Sequence, residues 1–226
     1  MMIFQNGWFP VGIVMAAWPV LLVIFALCAK QAWVSVSQHR SAFLVAAVML
    51  PLAWSLNASP ESGQLAGMSY HLLALNLTAL MLGTSAAFCL GVLLFFPYLW
   101  LWGDWHMFPI NALSVLLPPL LVNLGFRYWV SRLPANIFIF IFLNGVWSAS
   151  VGMVFTGVIL VGLLDWADVF DTSVLWKTAF PVFFLIAWAE AFLSGISTAI
   201  FIALKPQWIC TFDDDRYLKS APKIWQ

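Results

Sequence analysis

The chain is written in long apolar runs separated by short polar punctuation. Seven runs can be drawn, at approximately 9–28, 42–56, 66–82, 84–102, 109–131, 135–164 and 178–204. Runs this continuous predict α-helices rather than barrel strands, which alternate in polarity and are much shorter. A helix that crosses a bilayer needs about 20 apolar residues. The second run is short, which predicts a tilted or partly interfacial helix. The sixth is long enough to tilt strongly or to break near Gly152 or Gly157. The pattern predicts an all-α polytopic transmembrane helical bundle with about seven spans. It forms a single transmembrane domain over residues 1–226, closed by a short tail at 205–226.

Charge gives this bundle a direction. With seven spans and the N-terminus outside, Lys30, Arg40, Arg127, Arg132, Lys205, Arg216, Lys219 and Lys223 fall on the cytoplasmic side, and Lys177 alone falls outside. Basic residues collect on the cytoplasmic side of membrane proteins, so the expected topology is N-out and C-in, in the inner (plasma) membrane. The acids Glu61, Asp104, Asp165, Asp168 and Asp171 gather on the opposite side. Trp8, Trp33, Trp100, Trp102, Trp105, Trp129 and Trp208 sit near span ends, as an interfacial aromatic belt requires.

Composition narrows the class further. The chain is 64% hydrophobic and 8% charged, with a mean hydropathy of +0.98; soluble domains carry about 25% charged residues. The formal net charge of zero argues against nucleic acid as a partner and against a polybasic lipid anchor, leaving the lipid bilayer as the expected surround. Cys28, Cys89 and Cys210 have no CxxC spacing and read as small apolar packing residues. The N-terminus has no basic region followed by a small-residue cleavage site, so no removable signal peptide is expected.

Polar groups inside apolar spans carry the information, because each costs free energy in hydrocarbon unless it is paired or wetted. Glu190 is the one acid well inside a run, about eleven residues into the last, with Ser194 and Ser197 on the same helical face. It is either the wall of a substrate cavity or a hydrogen-bonded carboxyl that ties helices together. His71 opens the third run, with Asn76 and Thr78 behind it. His106 sits in the tryptophan-rich stretch Trp102-Gly103-Asp104-Trp105-His106-Met107. Met1, Met2, Met68, Met107, His71 and His106 all fall toward the outer face, and thioethers with imidazoles suit a soft transition metal. Asn111, Ser114 and Pro118 make a polar, kinked stripe on the fifth run. Asn144, Ser148, Gly152 and Thr156 repeat every four residues on the sixth, a small-residue face for close helix packing. There is no GxxxxGK[ST] phosphate loop, no HExxH pair and no GxSxG elbow. The chain therefore reads as a transport or binding subunit rather than an enzyme, and energised transport would need a partner.

Three blocks, in order, resemble a family. They are Ser69-Tyr70-His71-Leu72-Leu73-Ala74 through Leu80-Met81-Leu82-Gly83; Gly103-Asp104 through Pro109-Ile110-Asn111-Ala112 to Pro118-Pro119-Leu120; and Ala189-Glu190-Ala191-Phe192-Leu193-Ser194-Gly195. Together they are similar to the substrate-binding membrane subunit of cobalt and nickel energy-coupling-factor transporters, the CbiM/NikM type. The resemblance implies a permease that captures Ni²⁺ or Co²⁺ outside. Its expected partners are a transmembrane scaffold subunit and cytoplasmic ATPase subunits of an ABC-type system. It also implies a square-planar nitrogen site made by the N-terminal amine, the backbone nitrogen and imidazole of a second-position His, and a later His that maps onto His71.

This chain departs from that pattern at its start, Met1-Met2-Ile3-Phe4-Gln5-Asn6-Gly7, where the second-position imidazole is missing. Without it the joined five- and six-membered chelate rings cannot form. The expected metal set becomes His71 with Met1, Met2 and His106, for Ni, Co or a softer metal. Asn76, Asn111, Glu190 and Ser194 are the expected substrate-cavity residues. An organic substrate on the same scaffold, a structural or assembly subunit of a larger membrane complex, and a haem protein using His71 and His106 are the alternatives.

Overall fold

The computed structural model describes residues 3–58, 70–102 and 105–217. Its regular structure is helical apart from one two-residue antiparallel pairing. The helices are α1 (Val11–Gln38), α2 (Arg40–Ser55), α3 (Leu75–Leu82), α4 (Thr84–Trp102), α5 (Phe108–Val130), α6 (Ile137–Trp166) and α7 (Thr172–Leu204). Strands β1 (Asn57–Ala58) and β2 (Tyr70–His71) pair with Asn57 opposite His71. All-α polytopic architecture is thus as the apolar runs predict. Five helical stretches among the described residues are long and apolar enough to cross a membrane: α1, α4, Trp105 through α5, α6 and α7. With 16 and 8 residues, α2 and α3 fall short of the roughly 20 that a span needs.

Successive helices reverse direction, so the bundle has two ends. One carries the β-hairpin and the start of α5, and is called here the hairpin end. The other carries the α1–α2 and α3–α4 turns, Arg127 and the segment after α7, and is called the basic end.

The third apolar run differs most from expectation. Over residues 70–74 the chain is not helical, and Ala74 turns through left-handed φ (54°) before α3 begins. At 1.5 Å per residue, α3 is only about 12 Å long, and all of its residues are buried. A helix this short is marginal by itself, and its loose backbone groups would be costly in an apolar interior. The fold supplies partners at both ends. At the start, the Glu190 carboxylate accepts from the N–H groups of Leu73 and Ala74. At the end, Gly83 N–H donates to Ala79 O and Thr211 donates to Leu80 O. Cys210 N–H donates to Met81 O, and Ser35 Oγ donates to Leu82 O. The last four carbonyls of α3 are therefore all satisfied, two of them by the segment after α7. Gly83 alone separates α3 from α4, at φ 81°, a left-handed turn that favours glycine.

The long sixth run is continuous and does not break at Gly152 or Gly157. Its irregularity lies earlier, in a π-helical segment over Phe140–Trp147. Both glycines serve close packing. A Cβ at Gly152 would lie 3.2 Å from Pro119 Cα, and one at Gly157 would lie 2.5 Å from Phe183 Cγ. Where α6 crosses α7, a Cβ at Gly145 would lie 3.3 Å from Gly195 Cα, and one at Gly195 would overlap Val146 Cγ2. Small residues let these backbones approach; Gly152 belongs to the four-residue repeat, whereas Gly145, Gly157 and Gly195 lie outside it.

Candidate functional site

Asn76, the second residue of α3, is the hub of a buried polar network between α3, α5, α6 and α7. Its Nδ2 donates to the backbone oxygens of Asn144 (2.8 Å) and Gly145 (3.3 Å) and to Ser194 Oγ (2.8 Å). Its Oδ1 accepts from Asn123 Nδ2 (2.8 Å) and Ser148 Oγ (2.7 Å). The amide orientation is fixed by chemistry, because backbone carbonyls only accept. Nδ2 must face Asn144 and Gly145, so Oδ1 faces Asn123, and Asn123 must present its amino group. The two carbonyls come from the π-helical segment of α6, whose looser ladder leaves oxygens to side-chain donors. Among the described residues, Asn123 Oδ1 and Asn144 Oδ1 are buried with no protein donor.

His71 sits above this hub, toward the hairpin end, and is 2% exposed. Its ring lies 5.5 Å from the Tyr98 ring and 6.4 Å from that of Trp54. Trp54 Nε1 donates to Leu73 O at 3.1 Å, and Tyr98 Oη donates to Trp54 O at 3.4 Å. Since Leu72 O can only accept, His71 Nδ1 donates to it, at 2.8 Å. That bond selects the tautomer in which Nε2 is the basic nitrogen, the form of imidazole that ligates metals. The Leu73 carbonyl and the Leu73 and Ala74 N–H groups thus find partners on α2 and α7, while the Leu72 carbonyl sets the tautomer of the imidazole.

The N-terminal segment enters the same end of the bundle. Asn111, four residues into α5, holds Phe4 from both sides: Phe4 N–H donates to Oδ1 at 2.7 Å, and Nδ2 donates to Phe4 O at 3.0 Å. Phe4 is fully buried, with its ring 4.9 Å from Phe9 and 6.5 Å from Trp8. A second aromatic cluster surrounds the histidine: Phe108, three residues before Asn111 on α5, packs on Phe95, and Phe95 packs on Trp54 and Tyr98, which flank His71.

The expected site residues therefore separate into groups. Asn76 and Ser194 bond to each other. Glu190 binds the backbone ahead of α3, and Asn111 binds that of Phe4, so all four expected cavity residues are occupied by protein partners. His106 lies elsewhere than the Trp54–Tyr98 box. It stacks on Trp105, with ring centroids 4.0 Å apart, and lines a cavity of about 310 Å³ with Met15, Met107, Trp18 and Asn6. Met1, Met2 and Met68 lie outside the described residues. Among the described residues, no three His, Cys, Asp or Glu side chains come together to hold a metal ion, so His71 would need ligands of another kind or from residues 1–2.

Sequence reading missed Asn123 and the box of Trp54 and Tyr98. Asn123 resembles an ordinary polar residue near a helix end, and only the placement of Asn76 gives it a role. No pattern in the sequence singles out Trp54, which is 1% exposed.

Comparison with known proteins agrees with this architecture. Among solved structures, the chain is similar to one described as a truncated transition metal transporter, with a TM-score of 0.74 and 15% identity, covering 91% of this chain and 99% of that one. At that identity the likeness is one of fold. No curated protein matches the chain. The family described as CbiM, cobalt uptake substrate-specific transmembrane region, matches residues 4–208. That match runs from the buried Phe4 to the turn that follows α7, and the chain belongs to the CbiM family.

Proposed function

We propose that this protein is the substrate-capturing membrane subunit of a transition-metal uptake system, with its hairpin end facing outside and its basic end facing the cytoplasm. The observation that carries the reading is the clasp of Asn111 on Phe4. It fixes the N-terminal segment inside the bundle end that holds His71, with only two residues between Phe4 and Met1 and so a reach of at most about 11 Å. His71 Nε2 is the first ligand. Residues 1–2 supply further donors, and the Met1 and Met2 thioethers, where the family pattern has an imidazole, move the preference from square-planar nickel toward softer ions such as copper(I).

In this reading the half-helix α3 and its extended lead are held by Glu190 and Asn76 as a rigid platform for the imidazole. Non-helical backbone at membrane depth is tolerated where protein satisfies it, and broken helices of this kind recur at transporter binding sites. The chain itself performs no chemistry on its cargo. Inward delivery depends on partner ATPases and a membrane scaffold, and the basic end is the surface they reach.

Cells expressing the chain with and without an energising scaffold and ATPase set test this directly. Saturable uptake of labelled cobalt or copper that requires both the partners and His71 is the expected result. Metal uptake that is indifferent to His71 would remove it as a ligand, and no uptake of either metal with the partners present would refute the metal reading and favour an organic substrate on the same scaffold.

A further inference from the structure

A cavity lies at the basic end, between α1, the α3–α4 turn and α5. It holds about 650 Å³, within the range of roughly 300–1,000 Å³ typical of ligand sites. Its polar mouth contains Arg127, Thr84, Gln31 and His39. Arg127 is half-buried, and its guanidinium makes one long hydrogen bond, Nη1 to Thr84 Oγ1 at 3.4 Å. Among the described residues, no carboxylate lies within ion-pair distance of it, and that includes Asp213, which shares an adjoining cavity. Arg40, at the start of α2, is exposed, and two further arginines at this end are engaged. Arg132 lies over the Tyr128 ring at 4.2 Å, and Arg216 donates to the carbonyls of Ser131 and Leu133. A partly desolvated guanidinium with five donors and no anion is an incomplete arrangement.

An apolar side of the cavity runs inward from Arg127. Leu124, Leu121 and Leu117 line it, three, six and ten residues back along α5, and therefore about 4.5, 9 and 15 Å deeper. Ile24 of α1 and Phe88 of α4 face them across the gap. The exposed rings of Tyr128, Trp129 and Trp33 mark the membrane–water interface at the level of Arg127. About 15 Å is half the hydrocarbon thickness of a bilayer. The cavity thus has a cationic mouth at headgroup depth and an apolar throat one leaflet deep.

We infer that this cavity is a binding site for an anionic phospholipid, whose phosphate meets Arg127 and Thr84 and whose acyl chain lies along Leu124, Leu121 and Leu117 beneath α1. Inorganic phosphate matches only the mouth, and an apolar partner helix matches only the throat. A phospholipid matches both, and cationic pockets between membrane helices select anionic headgroups. The inference does not depend on the metal-uptake reading, and its test involves no metal.

The test is thermal unfolding of delipidated protein in detergent with added phosphatidylglycerol, phosphatidylcholine or inorganic phosphate, alongside native mass spectrometry. Phosphatidylglycerol is expected to raise the midpoint by about 3 °C more than phosphatidylcholine and to remain bound in roughly one copy. The difference should vanish in Arg127→Gln and persist in Arg132→Gln. If Arg127→Gln does not fold, Leu121→Trp, which fills the throat, should lower retained lipid instead. Equal stabilisation by both lipids, the same shift from inorganic phosphate, or lipid selectivity that survives both cavity variants would each overturn the site.

Discussion

Asn111 and Phe4 are bonded to each other twice, across 107 residues of sequence, and this reciprocal pair ties the N-terminal segment to α5. Removing the amide in Asn111→Leu leaves the Phe4 N–H and C=O buried without partners, each at a cost of about 1–3 kcal/mol. The expected result is a lower unfolding temperature together with faster proteolysis ahead of α1. Asn111→Asp keeps the acceptor and loses the donor, so its loss should be intermediate.

Glu190 should act chiefly as an acceptor for backbone. In Glu190→Ala the Leu73 and Ala74 N–H groups lose their partner, and a destabilisation on the order of 3 kcal/mol is expected. Glu190→Gln retains one oxygen and should recover much of that loss. Unfolding midpoints of the two variants decide the matter. Equal damage from Gln and Ala would mean that the carboxylate charge, and not its geometry, is what α3 requires.

The Asn76 network predicts non-additivity. Asn76→Leu should destabilise by about 2–4 kcal/mol, since five hydrogen bonds are lost and their partners stay buried. Asn123→Leu in that background should add little, because its principal partner is already gone. A double-mutant cycle with a coupling of at least about 1 kcal/mol is expected, and simple additivity would contradict a shared network.

The α6–α7 crossing leaves no room at Gly195. Gly195→Val forces its side chain into Val146, and overpacking of this kind costs about 1–3 kcal/mol. Gly195→Ala should do less harm, and Gly162→Ala, whose Cβ would meet nothing within 4 Å, should be neutral. Melting curves of the three variants give the comparison.

How far the sequence discloses this protein depends on which physical quantity a residue reports. Hydropathy reports exclusion from water, whether into protein or into lipid, and so it predicts the apolar helices well. It says little about backbone conformation: the third run is apolar throughout, yet residues 70–74 are not helical because Glu190, more than a hundred residues away, supplies the hydrogen bonds that a helix would otherwise make. The same limit hid the length of α1, whose last ten residues to Gln38 are too polar to read as a span but still continue the helix. Of the candidate site residues, Glu190 and Asn76 are visible as buried polar groups, because polarity inside a span has to be explained. Whether such a group faces cargo or another helix is settled by partners such as Asn123 and the Asn144 carbonyl, which no local pattern announces. His71 is legible as a residue, but its tautomer depends on the Leu72 carbonyl and its packing on Trp54 and Tyr98.

The most direct measurement of metal capture is elemental analysis of purified wild-type protein and His71→Ala, each shown to be folded by its melting curve, after growth with trace nickel, cobalt, copper and zinc. Near-stoichiometric transition metal in the wild type, lost in His71→Ala, is the predicted result. Metal absent from both proteins, or fully retained without the imidazole, would contradict a metal-capturing role for His71.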